Sequence, residues 1–551
     1  MTAPHPLDLS HHFSFPSKNR NPSSVKGFYK YFAIPGIANF AGGFPHPSYF
    51  PFDTLEATVA RPHRLQPINA GDSKSERVTV PKESPIADPT REIDLATGLQ
   101  YGTAEVPYKD GPEVILSCGN TDGFGKAVEL FTNVWNSDRD EIGQREGILC
   151  EEFTYMNAVQ AVRPRGLNVV GVAMDGEGMR ASGVGGLADV LKNWDFHRGR
   201  RPHLIYTITT GQNPTGGTLS IERKKEIYAL CHEYDVIIIE DEPYWNLQFP
   251  SAYGRDTQLE SSHVCERSPK SVMIQGKSSG YEFLDTLAPS YLSIDVDGRV
   301  VRLDTFSKTI APGSRLGWIT AQPTVVERLA RITEVTTQQP SGFVQSVVAK
   351  TILGAWLDED NRSPTSQDSH GWHLDGWVRW LEGLRGEYEK RMQAMCRTLE
   401  DNKFVLLEQP SVNDGHIEGW EVVDSIQMFD FVWPKAGMFT WVEILFENHP
   451  LRSEHNSETL SKALWIHLTQ KPHLCLVGPG SLFAATPESA QKAHRYIRIA
   501  FAPMDVDEVV PFTRRLVEGF RSFWQRKNLD GLSDDDDNFL ELELGFQPET
   551  D

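Results

Sequence analysis

Short runs of apolar residues alternate with amphipathic stretches through the first two thirds of the chain. The runs occupy residues 147–150, 169–172, 204–208, 236–239 and 300–303. Continuous apolar runs of this length predict strands that are buried on both faces. Residues 221–234, between two of these runs, have the apolar spacing of an amphipathic helix. We therefore predict an α/β fold in which helices cover both faces of a mainly parallel sheet.

The pattern changes after residue 375. A helix with Trp377, Trp380, Leu381 and Leu384 is followed by predicted strands within residues 434–444, 474–483 and 496–501, which together indicate a smaller α+β domain. We assign residues 1–55 to an N-terminal arm that contributes to the small domain and the ligand pocket, 56–360 to the large domain with a polar insertion at about 251–290, and 375–528 to the small domain. Residues 529–551 contain nine acidic and no basic residues and are expected to be disordered.

Composition narrows the classes of function. The formal net charge of −21 disfavours nucleic acid and anionic membranes as partners. No apolar run reaches about 18 residues, so no membrane span is expected, and the first residues lack the basic and apolar regions of a secretory signal. Six scattered cysteines without a CxxC pair fit reduced thiols in the cytoplasm and predict no metal site.

Candidate chemistry is concentrated in residues 304–318, DTFSKTIAPGSRLGW. A held and partly desolvated lysine such as Lys308 can form a Schiff base with an aldehyde. The hydroxyls of Thr305 and Ser307 and the guanidinium of Arg315 suit a phosphate group. An aldehyde and a phosphate on one molecule indicate pyridoxal 5'-phosphate (PLP). The alternative is a surface loop with an ordinary lysine.

Polar residues after other predicted strands complete a PLP site, because ligands bind beyond the carboxyl ends of parallel strands. The candidate roles are Asp241 as the anion beside the pyridine nitrogen, Asn213 and Tyr244 as donors to the phenolate oxygen, Tyr155 as the aromatic surface over the ring, and the amides of Asn120 and Thr121 at a helix start as further phosphate donors. Arg498, within the otherwise apolar strand predicted at 496–501, is the candidate bidentate partner of a substrate carboxylate. The alternatives are that Asp241 caps a turn and that Arg498 forms a structural ion pair.

With these residues in place, the chain resembles the fold-type I, class I/II PLP-dependent aminotransferases. It is most similar to the fungal aromatic amino acid aminotransferases and the kynurenine/2-aminoadipate aminotransferases. The matching stretches are AGGFPHPSYFPF (41–52), LQYGTA (99–104), GNTDG (119–123), EEFTY (151–155), GQNPTGGTLS (211–220), EDEPYWNLQF (240–249), SYLSIDVDGRVVRLDTFSKTIAPGSRLGW (290–318), PKAGMFTW (434–441) and YIRIAF (496–501). The resemblance covers roughly residues 20–525.

The resemblance implies a seven-stranded-type sheet, a homodimer with shared active sites and the residue roles given above. It further implies that Tyr101 reaches the partner subunit's phosphate and that Gly43 lines the substrate pocket. The reaction implied is transfer of the amino group of phenylalanine, tyrosine or tryptophan to a 2-oxo acid such as 2-oxoglutarate, by a ping-pong Schiff-base mechanism. Lys308 would carry the cofactor and shuttle the proton.

Other functions stay open at this point. A 2-aminoadipate or kynurenine aminotransferase shares the same motifs, and a PLP lyase of the same fold needs the same lysine. A regulatory protein with an aminotransferase-like domain would carry a basic DNA-binding domain, which the short N-terminal segment and the net charge disfavour. The family often has an arginine in the N-terminal arm, where this chain has Lys26; lysine lacks the bidentate fork, which bears on recognition of a second carboxylate.

Overall fold

The structure is a computed structural model that describes residue 31 and residues 34–41, 112–253, 278–337, 339–342, 344–345, 348, 352, 373–407 and 424–532. The strands are β1 (Ala38–Asn39), β2 (Glu113–Ser117), β3 (Gly147–Glu151), β4 (Asn168–Val172), β5 (Met174–Asp175), β6 (Gly178–Met179), β7 (Leu204–Thr207), β8 (Ile237–Asp241), β9 (Val300–Thr305), β10 (Gly317–Ala321), β11 (Phe404–Leu407), β12 (Asp424–Gln427), β13 (Phe429–Phe431), β14 (Phe439–Ile444), β15 (Cys475–Leu476), β16 (Gly478–Pro479) and β17 (Tyr496–Ala500).

The α-helices vary widely in length within the described residues. They are α1 (Asn120–Phe131), α2 (Met156–Val162), α3 (Leu187–Lys192), α4 (Ile221–Glu233), α5 (Pro250–Tyr253), α6 (Glu282–Asp285), α7 (Pro323–Val335), α8 (His373–Glu400), α9 (Ser457–Thr469), α10 (Pro487–Ala493) and α11 (Val509–Trp524). None of these helices combines the length and the apolar character needed to cross a membrane.

A seven-stranded sheet forms the centre of residues 113–321, with the strand order β2-β10-β9-β8-β7-β3-β4. The pairs from β9 through β8, β7 and β3 to β4 are parallel, and β10 runs antiparallel to both of its neighbours. The mainly parallel sheet and the α/β class predicted from the apolar runs are confirmed. The runs lack alternation because both faces of the sheet are covered.

Two layers of helices account for the burial of the strands. Side chains that alternate along each strand divide between a front face, defined by Tyr206, Ile239 and Val301, and a rear face, defined by Ile205, Ile238 and Val300. Helix α1 belongs to the front core and helices α3 and α4 belong to the rear core. Each fully buried valine or isoleucine contributes about 1.5–3 kcal/mol relative to an exposed one, so the strands specify the sheet strongly.

A second, antiparallel sheet has the order β13-β14-β17-β16. Strand β17 lies between β14 and β16, and Arg498 faces Trp441 on one side and Gly478 on the other. Helices α8 and α11 pack against each other beside this sheet. These elements agree with the α+β character predicted after residue 375, while the domain bounds themselves stay predictions.

The loop after β7 and the turn before β14 approach each other without room for side chains. Gly211 and Gly437 have φ of +58° and +84°. A Cβ on Gly211 would lie 2.6 Å from the Gly437 Cα, and a Cβ on Gly437 would lie 2.8 Å from the Gly211 carbonyl oxygen. Both positions therefore need glycine, for backbone conformation and for space. This contact brings the loop that carries Asn213 against the second sheet.

The predicted insertion at 251–290 is only partly described, because residues 254–277 lie outside the described ranges. Its last part is not a plain polar loop. Helix α6 lies there, and Phe283 and Leu287 are buried in a cluster with Phe306 and Trp377. The end of the insertion therefore supports the segment that carries Lys308.

Candidate active site

The strand order brings three predicted site residues to one edge of the main sheet. Asp241 is the last residue of β8 and pairs with Leu303 of β9. Lys308 ends a 3-10 turn, Phe306–Lys308, that follows β9 directly. Asn213 lies in the loop after β7. Because β7, β8 and β9 are parallel neighbours, their carboxyl ends present these residues to the same space.

The Lys308 amine lies in a setting that favours its neutral form. Burial, together with the positive charges of Arg498 and Arg315, lowers its pKa to about 8, while Asp241 opposes the shift. A lysine with a pKa near the working pH can both accept and release a proton. Burial, as anticipated from the sequence for a desolvated lysine, is the largest cause of the shift, and the two arginines add to it.

Asp241 is buried and held by two donors. Asn120 Nδ2 donates to Asp241 Oδ1 at 2.5 Å, and the Tyr206 hydroxyl donates to Asp241 Oδ2 at 2.6 Å. Burial raises the pKa of Asp241 to about 6, and the two hydrogen bonds oppose that rise. With its orientation fixed on both oxygens, this carboxyl is placed to interact with a protonated ring nitrogen. It does not serve as a turn cap.

Donors suited to a phosphate meet around Arg315. The Thr305 and Ser307 hydroxyls lie 2.9 Å apart, and Arg315 Nη1 reaches Ser307 Oγ at 3.4 Å. Arg315 Nη2 donates to the Cys118 carbonyl at 2.7 Å, beside Gly119. A Cβ at Gly119 would collide with the Arg315 guanidinium.

The same place receives the start of a helix. The twelve-residue helix α1 begins at Asn120 and has no side-chain cap from Gly119. Two hydroxyls, a guanidinium and uncapped helix amides form a donor set for a dianion.

Two aromatic hydroxyls complete the front of the site. Tyr155 precedes helix α2, and its hydroxyl accepts a hydrogen bond from Asn157 Nδ2 at 2.7 Å. Burial raises the pKa of Tyr155, and a hydrogen bond with Thr121 opposes that rise. Tyr244 is buried three residues after Asp241, and burial raises its pKa as well. Both hydroxyls are therefore protonated at neutral pH and can donate hydrogen bonds.

Arg498 lies between two aromatic rings. Its guanidinium carbon is 4.2 Å from the Phe439 ring centroid and 4.5 Å from that of Phe483. Nη1 donates to Asn213 Oδ1 at 2.8 Å, and Nη2 donates to the Ala41 carbonyl.

Nothing in the described part of the chain neutralises this charge. Arg498 Nε is buried without a partner, and no described carboxylate pairs with the guanidinium, so the alternative of a structural ion pair is not supported. Burial lowers the pKa of Arg498 to about 10, and it stays charged. An uncompensated buried cation at this edge suits a substrate carboxylate.

Some contacts were not anticipated from the sequence. Tyr206 was not predicted because it occurs within an apolar run, where an aromatic residue indicates core packing. The Asn120 side chain binds Asp241, whereas the sequence predicted a role for its backbone amide. Gly43, Tyr101 and Lys26 lie outside the described residues.

Replacing Tyr206 by phenylalanine tests its role as a positioning residue. The ring packs edge-on against Phe124 with centroids 4.8 Å apart, so phenylalanine fits. Without the donor, the pKa of Asp241 rises further, and we expect kcat/KM to fall about tenfold, more below pH 7 than above it. A profile from pH 5.5 to 8.5 measures this. Tyr228→Phe, which removes a buried hydroxyl from Asp295 on the rear side, is the matched control and should leave the profile unchanged.

These residues fit PLP. They supply a lysine for the aldehyde, an anion for the ring nitrogen and a cluster of donors for the phosphate. The Asn120 Oδ1 atom is also buried without a partner at this edge, which is consistent with a polar group that completes the site.

Comparison with known proteins agrees with this geometry. The aminotransferase class I and II family model matches residues 121–516. An aromatic amino acid aminotransferase of Schizosaccharomyces pombe is 31% identical, over 92% of this chain and 96% of the relative. An L-tyrosine:2-oxoglutarate aminotransferase of Tapinella panuoides is 32% identical, over 81% of this chain and 76% of the relative.

A solved structure gives the same result. The aminotransferase Aro8 of Candida albicans matches with a TM-score of 0.58 at 31% identity, over 95% of this chain and all of that one. The family predicted from the motifs is thus confirmed. The chain belongs to the class I and II aminotransferases, and it is a transaminase.

Proposed function

We propose that the protein is a PLP-dependent aminotransferase that moves the amino group of an aromatic L-amino acid to a 2-oxo acid such as 2-oxoglutarate. The main support is the meeting of Lys308, Asp241, the phosphate-type donors and Arg498 at one sheet edge. The names of two relatives, an aromatic amino acid aminotransferase and an L-tyrosine:2-oxoglutarate aminotransferase, support the substrate class.

Each residue has a defined task in this proposal. Bound PLP supplies an electron sink for the electron pair that remains when the substrate Cα loses its proton. Lys308 Nζ takes that Cα proton and holds it for return, which its pKa of about 8 permits near neutral pH. Asp241 keeps the ring nitrogen protonated. The remaining cofactor contacts are assigned to Asn120, Thr121, Tyr155, Asn213, Tyr244, Thr305, Ser307 and Arg315.

Arg498 binds the α-carboxylate of both substrates in turn, because the amino acid and the 2-oxo acid share that group. Arg498→Lys keeps the charge and loses the bidentate fork. We expect kcat/KM to fall about 100-fold or more for both substrates, measured by steady-state kinetics with each one varied.

Arg495→Lys is the matched control for that variant. Arg495 lies three residues earlier, on the surface, and pairs with Glu443 and Glu447; its replacement should leave both constants near those of the unmodified protein. A loss confined to one substrate would contradict a shared carboxylate site.

The proposal includes a homodimer in the cytoplasm, with Tyr101 at the partner's phosphate and with Gly43 and Lys26 near the substrate. The deciding experiment incubates the PLP-loaded enzyme and 2-oxoglutarate with phenylalanine, tyrosine, tryptophan, kynurenine or 2-aminoadipate, and quantifies glutamate and the new 2-oxo acid. Fast turnover of the aromatic donors supports the proposal. Turnover of 2-aminoadipate or kynurenine alone would change the proposed substrate class. Product in large excess over enzyme when 2-oxoglutarate is left out would indicate a lyase, because a transaminase without an acceptor stops after one equivalent.

A further inference from the structure

A buried layer of charged side chains lies on the rear face of the main sheet, behind the candidate site. Glu240 and Glu242 flank Asp241 in the sequence, and alternation places them on the opposite face from it. Arg302 and Asp304 of β9 and Lys224 of helix α4 belong to the same layer, and each of the five residues is at most 7% exposed. The proposed reaction uses none of them.

The two cations of this layer each lie beside one carboxyl. Arg302 binds Asp304 through two hydrogen bonds of 2.8 Å. Lys224 Nζ lies 3.6 Å from Glu240 Oε1, and no described cation pairs with Glu242. Glu151 of β3 is a further buried carboxyl on this face, and its Oε1 accepts from the Thr207 hydroxyl at 2.6 Å. Four carboxyls and two cations are neutral together only when two carboxyls carry a proton, and Glu242 and Glu151 are the two that form no ion pair with a described cation.

The hydroxyl of Thr209 supplies an independent argument. Thr209 Oγ1 forms a hydrogen bond with Glu242 Oε1 and lies 3.3 Å from Glu240 Oε1. A hydroxyl has one hydrogen, so it cannot donate to two carboxylates at once. A proton on Glu242 resolves the conflict, because Glu242 then donates to Thr209 Oγ1 and Thr209 donates to Glu240.

Glu240 itself is satisfied as a carboxylate. Its Oε2 accepts from the Ser290 hydroxyl at 2.5 Å, and its Oε1 accepts from the Tyr291 amide at 3.0 Å. Glu242 Oε2, by contrast, is buried without a partner, a setting that is costly for a charged carboxylate. The proton therefore belongs on Glu242.

We propose that Glu242 is a protonated positioning residue that joins the loop carrying Asn213 to the strand carrying Asp241 from behind the sheet. Thr209 lies four residues before Asn213, and Glu242 directly follows Asp241. The chain from Glu242 through Thr209 to Glu240 thus fixes the spacing of two segments that contact the cofactor. The cofactor part of this inference rests on the proposed function.

The surroundings of Glu242 agree with a titration near neutral pH. Burial raises its pKa to about 7; Lys224, Arg302 and the Thr209 hydrogen bond oppose the rise, and Glu240 adds to it. Because the folded state then holds a proton that the unfolded chain releases at lower pH, stability falls as the pH rises from about 5 to above 7. When Glu242 is ionised, its negative charge also faces that of Glu240 across the Thr209 hydroxyl. The repulsion between them weakens the hydrogen-bonded chain from Glu242 through Thr209 to Glu240.

Glu242→Gln is the direct test, since its amide donates to Thr209 at every pH. The dissociation constant of PLP is measured by quenching of protein fluorescence at pH 6.0 and 8.5. The variant should match the unmodified protein at pH 6.0 and bind about tenfold more tightly than it at pH 8.5, the change expected for one buried hydrogen bond. Thr209→Val should weaken binding at both pH values and abolish the effect of Glu242→Gln.

Thermal unfolding of the PLP-free protein tests the protonation separately. The Tm of Glu242→Gln relative to the unmodified protein should rise between pH 5 and pH 8, and the exposed Glu226→Gln on helix α4 should show no such trend. If PLP does not bind, the proposed function fails while this result still decides the state of Glu242. A variant that is equally impaired at pH 6.0 and 8.5, that fails to fold, or that behaves as the unmodified protein at every pH would overturn the inference.

Discussion

Replacing Lys308 by alanine is expected to reduce the rate of transamination by about 10⁴-fold or more while leaving the fold intact. In the proposed function, the variant loses the amine that anchors the cofactor and moves the Cα proton. The fold should persist because the change removes a cation whose pKa burial already lowers and inserts no new group. Turnover is measured with phenylalanine and 2-oxoglutarate, and folding by far-ultraviolet circular dichroism and the Tm.

The matched control is Lys390→Ala, a lysine on helix α8 that is 65% exposed and pairs with Glu387. It should keep full activity. The Lys308→Ala variant should still bind PLP through the phosphate donors, but without the yellow band of lysine-bound cofactor. Normal turnover in that variant would contradict the assignment of Lys308.

The second large effect is expected for Asp241→Asn. An asparagine keeps the shape and can still accept from Tyr206, but it carries no negative charge toward the ring nitrogen. We expect kcat to fall about 10³-fold with PLP still bound, because an unprotonated ring is a weaker electron sink. Single-turnover absorbance changes separate this loss in chemistry from a loss in substrate binding.

The same variant has a signature in stability. The folded-state pKa of Asp241 is raised to about 6, so the carboxylate destabilises the PLP-free fold as the pH rises from about 4 through 6. Relative to the unmodified protein, the Tm of Asp241→Asn should therefore increase across that window. A constant Tm difference from pH 4.5 to 7.5 would show that Asp241 does not titrate as proposed.

Much of this site could be predicted because strand ends are visible in the sequence. The apolar runs before Asp241 and Lys308 mark where β8 and β9 stop, and parallel strands present their carboxyl ends together. The helix start at Asn120 and Thr121 was also anticipated. Local chemistry and chain order were sufficient for these residues.

The contacts between distant segments could not be predicted. When both faces of a sheet are buried, an apolar run does not show which residues lie on which face. The sequence therefore could not predict that Tyr206 binds Asp241, or that Glu242 lies on the opposite face of the sheet from Asp241. The hydrogen bond from Arg498 to the Ala41 carbonyl joins residues that are 457 positions apart in the sequence. Such contacts follow from packing in three dimensions and leave no periodic pattern in the sequence.

The visible absorbance of the purified, PLP-loaded protein tests the central claim most directly. We predict a yellow band that phenylalanine removes and 2-oxoglutarate restores, which would establish both halves of a transamination with an aromatic donor. If the band responds only to 2-aminoadipate, the proposed mechanism still holds but the proposed substrate class is wrong. The absence of any yellow band after addition of PLP would contradict the role of Lys308 and with it the proposed function.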